Sequence, residues 1–144
     1  MRKALLLIIL ISTTIIFYGC NKNSNEDNPI SLYSVDISSL NNKKILDVIH
    51  DEGLEEGVYQ IITDSNKYIF FKGLKNEYVD IDSTLDNKTL IISCNTSPSS
   101  EDSNKLYVIR EKNTTSSSDK NIFFDTILLK INDNEVPFKS IQTI

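Results

Sequence analysis

Between Val58 and Phe138 the apolar residues come in short runs of Ile, Val, Tyr and Phe, with Thr among them, divided by clusters of Asn, Asp and Ser. That is the pattern of several strands joined by polar turns, because β-branched and aromatic side chains suit a pleated surface and Asn, Asp and Ser suit turns. Gly is scarce, Trp is absent, and no internal repeat is visible.

The runs can be placed one by one. Ile30 to Ile37 reads as a first extended segment. Val58–Thr63 and Tyr68–Lys72 flank Asp64-Ser65-Asn66-Lys67, a good hairpin connection. Tyr78–Ser83 and Thr89–Asn95 flank Thr84–Lys88 as a second hairpin, in which alternation predicts Val79 and Ile81 inward and Asp80 and Asp82 toward solvent. Leu106–Arg110 is a further strand, and Ile122–Ile131, the longest apolar run of the domain, is the candidate for a central one. Asn132–Glu135 turns the chain back through Val136–Phe138, where Pro137 has no N–H for a ladder and predicts a sheet edge.

Only one stretch changes period. Ile45, Leu46, Val48 and Ile49 fall on one helical face, so Asn41–Asp51 predicts a short helix, capped by Asn41 or Asn42 and closed by Gly53. Two polar stretches, Thr96–Asn104 and Lys112–Asn121, predict surface loops. The fold class expected is therefore mainly β: a small antiparallel sandwich or partly open barrel with one short N-terminal helix.

The N-terminus sets a separate expectation. Arg2 and Lys3 precede an apolar run, Ala4–Tyr18, broken only by Ser12, Thr13 and Thr14. A bilayer span needs about 20 apolar residues. This shorter run suits a secretory signal. Phe17-Tyr18-Gly19-Cys20 follows and resembles the lipobox of bacterial lipoproteins, with Gly19 and Cys20 matching the pattern while Phe17 and Tyr18 are larger than usual. The resemblance implies residues 1–19 as a cleaved signal peptide, lipidation at Cys20, and a membrane-anchored position on the extracytoplasmic side of a bacterial envelope. Buried acyl chains supply the membrane attachment, at about 0.8 kcal/mol per CH₂. Residues 21–29 (Asn-Lys-Asn-Ser-Asn-Glu-Asp-Asn-Pro) have nothing to bury and predict a disordered tether ahead of a single β-rich domain, residues 30–144.

Two stretches, Glu56-Gly57-Val58-Tyr59 and the run from Tyr68-Ile69-Phe70-Phe71-Lys72-Gly73 to Tyr78-Val79-Asp80-Ile81, together with Thr96-Ser97-Pro98, resemble the C-terminal domain of the protease-complex subunit PrcB and related small lipoproteins. The resemblance spans residues 56–112 and departs at Asn76-Glu77, where that family has paired glycines. It implies a non-catalytic β module that helps an envelope complex assemble, and carries no active-site residues with it.

Chemistry is sparse. The formal charge is −5 and becomes more negative once Arg2 and Lys3 leave, which argues against nucleic acid as a partner. With Cys20 lipidated, Cys94 has no partner in the chain and predicts a buried thiol. His50 is the one histidine, so Cys94–His50 is the one conceivable nucleophile–base pair. Glu77, Asp80, Asp82 and Asp86 offer oxygen ligands but lack EF-hand spacing, and Gly53, Gly57 and Gly73 lack phosphate-loop spacing. The glycosylation-type triplets at Asn87, Asn95 and Asn113 carry little weight in a bacterial chain. No catalytic, cofactor-binding or metal residue is assigned. The function expected is a protein-binding or assembly module of the envelope. A small-ligand carrier with Tyr59, Tyr68, Phe70 and Tyr107 lining a barrel interior is the alternative, and a small hydrolase using Asp80, Asp82 or Cys94 the third.

Overall fold

In a computed structural model the chain is described over residues 29–111 and 124–144. The expected signal segment, Cys20, most of the expected tether, the Lys112–Asn121 stretch and the first residues of the Ile122–Ile131 run lie outside the described residues. Strands β1 (Ile30–Val35), β2 (Gly57–Ile62), β3 (Lys67–Gly73), β4 (Asn76–Asp86), β5 (Thr89–Pro98), β6 (Ser103–Glu111), β7 (Thr126–Ile131), β8 (Asn134–Val136) and β9 (Ile141–Thr143) are joined by one helix, α1 (Lys43–Ile49). They form a five-stranded sheet in the order β1-β6-β3-β2-β9 and a four-stranded sheet in the order β4-β5-β7-β8. The molecule is mainly β, a small sandwich with one short helix and no closed barrel.

The pairing is mixed rather than wholly antiparallel. β2 takes β9 as a parallel neighbour, and β5 takes β7. The second arises because β6 leaves β5 for the opposite sheet, so the chain returns to β5 in its starting direction. As expected, β7 lies inside its sheet, between β5 and β8, and β8, the strand just before Pro137, is an edge. Strand β9 had no signal in the sequence beyond Ile141-Gln142-Thr143.

Why β2 and β3 read as nearly unbroken apolar runs is now clear. The five-stranded sheet is covered on both faces, and strands buried on both faces lose the alternation of half-exposed ones. Phe71, with Val58 and Ile69, faces the four-stranded sheet and meets Leu90, Ile92 and Leu129. Its neighbour Phe70 points the other way, to a second core with Ile45 and Ile49 of α1, Tyr59, Ile61 and Leu106. Each buried phenyl ring contributes about 2–3 kcal/mol relative to exposure. The layers therefore run helix, sheet, sheet.

Local chemistry sets the boundaries. Asn42 caps α1, its side-chain oxygen accepting the Ile45 N–H at 3.3 Å. The helix ends at His50 rather than at Gly53, which has no left-handed backbone and donates its N–H to Asp51 instead. The β4–β5 connection is the two-residue turn Asn87-Lys88, with φ of 48° and 79°. This is the backbone a tight hairpin requires, so β4 runs on through Thr84–Asp86, residues the sequence reading gave to the turn. Asn132-Asp133, at 51° and 64°, makes the same turn between β7 and β8. A bulge between Val79 and Asp82, with Asp80 at φ 52°, shifts the register of β4. Tyr78, Ile81 and Leu85 consequently face the core, and Val79, expected inward, does not join it. Thr96–Pro98 and Ser103–Asn104 are strand, which shortens that expected loop to residues 99–102.

The two ends of the sandwich differ. Ile30, the 63–66 turn, Lys67 and the Asn87-Lys88 turn lie at the end where the chain enters. Gly57, the Gly73–Asn76 turn and the 99–102 loop lie at the far end.

Candidate functional site

The most tightly held feature of the described residues is the far-end turn between β3 and β4. Glu56, just before β2, places Oε2 against three successive backbone N–H groups: Leu74 at 3.0 Å, Lys75 at 2.6 Å and Asn76 at 3.0 Å. Its Oε1 accepts the Asn76 side-chain amide at 2.7 Å. Successive N–H groups pointing one way form a concave anion-binding nest, here filled by the chain's own carboxylate. The Asn76 side chain first, and then the Lys75 N–H, hold the Glu56 carboxyl down at about 2, well below its usual 4.5.

Gly73 makes the turn sterically possible. A Cβ there would overlap the Asn76 carbonyl oxygen and lie 2.9 Å from that of Ser103. On the far side, Ser99 donates its N–H to the Lys75 carbonyl at 2.9 Å, joining the turn to the 99–102 loop. Just inside it, Lys105 Nζ bonds both Glu77 Oε1 and the Tyr78 carbonyl at 2.8 Å. From this braced frame Leu74 projects with 37% of its surface exposed, one of three large apolar residues so displayed among the described residues. Beside it are exposed Pro98, Glu101 and Asp102. A fixed apolar side chain beside a polar, acidic loop is an anchor of the kind protein interfaces use, and its turn requires little further ordering on binding.

The residues singled out from the sequence fall elsewhere. Cys94 is buried between the sheets, its thiol 3.8 Å from the Lys130 carbonyl, and burial pushes it up to about 11. His50 is exposed at the end of α1, which packs in the other core, so the two are not brought together. Asp80 accepts from the Asn95 side chain and Asp82 from the Ser83 N–H. No group of three or more His, Cys, Asp or Glu side chains converges among the described residues as a metal ion would need. Tyr59, Tyr68 and Phe70 belong to the core under α1, whereas Tyr107 packs in the core between the sheets, 5.7 Å from Phe71. These aromatics therefore do not line one cavity. Sequence reasoning gave Glu56 no role because its partners lie 18 to 20 residues downstream, with nothing in the spacing to join them.

No helix among the described residues is long and apolar enough to cross a membrane. Comparison with protein-family models, characterised proteins and solved structures gives no match.

Proposed function

We propose that this chain is a lipid-anchored, non-catalytic lipoprotein of the bacterial envelope that serves as a protein-binding or assembly module, with the Leu74 turn as its contact. The observation that carries the reading is the placement of that turn at the end of the sandwich opposite Ile30, where the chain arrives from Cys20. A domain held by its near end presents its far end outward. The resemblance of residues 56–112 to an assembly domain supports the same reading. A thiol held at about 11 is almost wholly protonated at neutral pH and a poor nucleophile, which argues against the hydrolase alternative.

Two measurements test this. Intact mass of the chain extracted from membranes, beside Cys20→Ala, reports the anchor: a mass fitting acylated Cys20 onward, lost in the variant, is expected. Crosslinking in native membranes then reports the contact. A defined envelope partner retained by the parent and by Ser65→Asp, but lost in a folded Leu74→Asp variant, is the expected outcome. Equal recovery with Leu74→Asp refutes the contact.

A further inference from the structure

At the near end a groove of about 460 Å³ opens between the 63–66 turn and the ends of β1 and β6. Its apolar lining is Ile30, Ile62, Ile109 and Phe124, and Lys67 and Arg110 flank it. Lys67 Nζ stands 4.8 Å from the centroid of the Phe124 ring, a cation–π contact that leaves its charge available. Among the described residues neither Lys67 nor Arg110 has a carboxylate within ion-pair distance, whereas Lys88, Lys105 and Lys139 all do. Asp64 is the one acidic residue among the described residues that line the groove, and Glu111 ends β6 opposite Ile30 at the same end. Asp86 lies farther along the same end, and Asp125 there is paired with Lys88 at 3.7 Å.

We propose that this groove docks on the lipid surface holding the anchor, with Lys67 and Arg110 engaging headgroup phosphates and the half-buried Phe124 meeting the apolar boundary beneath them, over the buried Ile30. The inference rests on the anchor reading above and adds an orientation to it. Nine residues separate Cys20 from Ile30. A chain of that length reaches at most about 30 Å in any conformation. Ile30 itself lines the groove, so among the described residues the groove lies where the tether joins the domain. The far end stands roughly 20 Å higher, the length of a six-residue strand. Charge is then decided locally. The full sequence carries −5, and the anchored chain without Arg2 and Lys3 is more negative still, which would repel an anionic leaflet, but the screening length in physiological salt is about 8 Å. Only the near end feels the surface. There Lys67 and Arg110, without ion-pair partners among the described residues, flank the groove, with Lys43 and Lys44 also beside the 63–66 turn.

The test uses the full acylated chain in vesicles of phosphatidylcholine alone or with phosphatidylglycerol added, carrying a headgroup-level quencher. A fluorophore is placed at Ser65→Cys, near the groove, or at Ser100→Cys, at the far end; buried Cys94 stays unlabelled in the folded protein. Stronger quenching at 65 than at 100, deepened by the anionic lipid, is expected. Lys67→Gln and Arg110→Gln, at exposed positions that leave the fold intact, should each weaken that preference about fivefold. Equal quenching at both ends with Cys20 acylated by mass overturns this inference alone. So does a preference indifferent to lipid charge and to both substitutions, which would mark the groove as a site for a soluble or protein ligand. An unacylated Cys20 overturns the anchor reading and this inference with it.

Discussion

The Glu56 carboxylate receives the Lys75 N–H at 2.6 Å, the shortest of four hydrogen bonds by which one side chain holds the turn between β3 and β4. A charged acceptor with several donors is worth more than a neutral one, and removing it strands the donors. Glu56→Ala should therefore cost about 2–3 kcal/mol in chemical denaturation, and Glu56→Gln about 1–2 kcal/mol.

The same carboxylate sets an acid limit. Its folded value of about 2 lies below its ordinary 4.5, so the charged form is the one the fold favours. Its stabilisation is complete above pH 4.5 and disappears as pH falls through about 2. Discounted for solvent screening at a partly exposed site, the loss should be about 1–2 kcal/mol. Urea midpoints measured across this range should fall for the parent and stay flatter for Glu56→Gln. Parallel slopes would show that other carboxylates dominate.

Gly73→Ala should destabilise by about 2–3 kcal/mol, since backbone oxygens on two strands must move to admit a methyl group. Gly53→Ala is the control. There a Cβ meets only the Asp51 side chain, at 3.2 Å, and the midpoint should shift by no more than about 0.5 kcal/mol.

Burial raises the Cys94 thiol from 9.0 to about 11 and the Tyr78 hydroxyl from 10.0 to about 12, so the fold favours their protonated forms. Their contribution is complete below pH 9 and is lost as pH rises through 11 to 12. A disulfide reagent should modify Cys94 at the rate of unfolding rather than at that of a free thiol. Fast labelling of the native protein would mean that the two sheets part readily.

Strand β9 covers the outer edge of β2, with Ile144 donating to the Ile62 carbonyl at 3.0 Å and its side chain packed in the core under α1. Removing residues 140–144 leaves the N–H of Gln60 and the carbonyl of Ile62 without their partners. An uncovered strand edge pairs with other chains. Light scattering should show concentration-dependent association absent from the full chain.

What the sequence disclosed follows from the range of the interactions. Strands, hairpins and the helix rest on neighbours within a few residues, so Asn42 as cap and the β2–β3 hairpin could be read directly. The bulge at Asp80 and the parallel places of β7 and β9 depend on which strand lies alongside, and nothing local encodes that. Val79 failed for this reason: alternation is a correct rule until an extra residue resets it. The expected barrel lining failed because one sheet buries both faces, so Tyr59 and Tyr107 could not be told apart by type. The candidate site was the least legible part, since Glu56 reaches a turn formed by the end of a different strand.

The parallel pairing of β9 with β2 joins residues about eighty positions apart in the chain. Contacts so distant form late, because the intervening loop must close before they contribute anything. Until residues 141–143 arrive, β2 lacks its outer neighbour and the core under α1 lacks Ile144. On the export route proposed above, the chain passes through the membrane as a thread. A sheet completed only by so distant a partner would delay folding until residues 141–143 have crossed, and would make slow closure useful to transport.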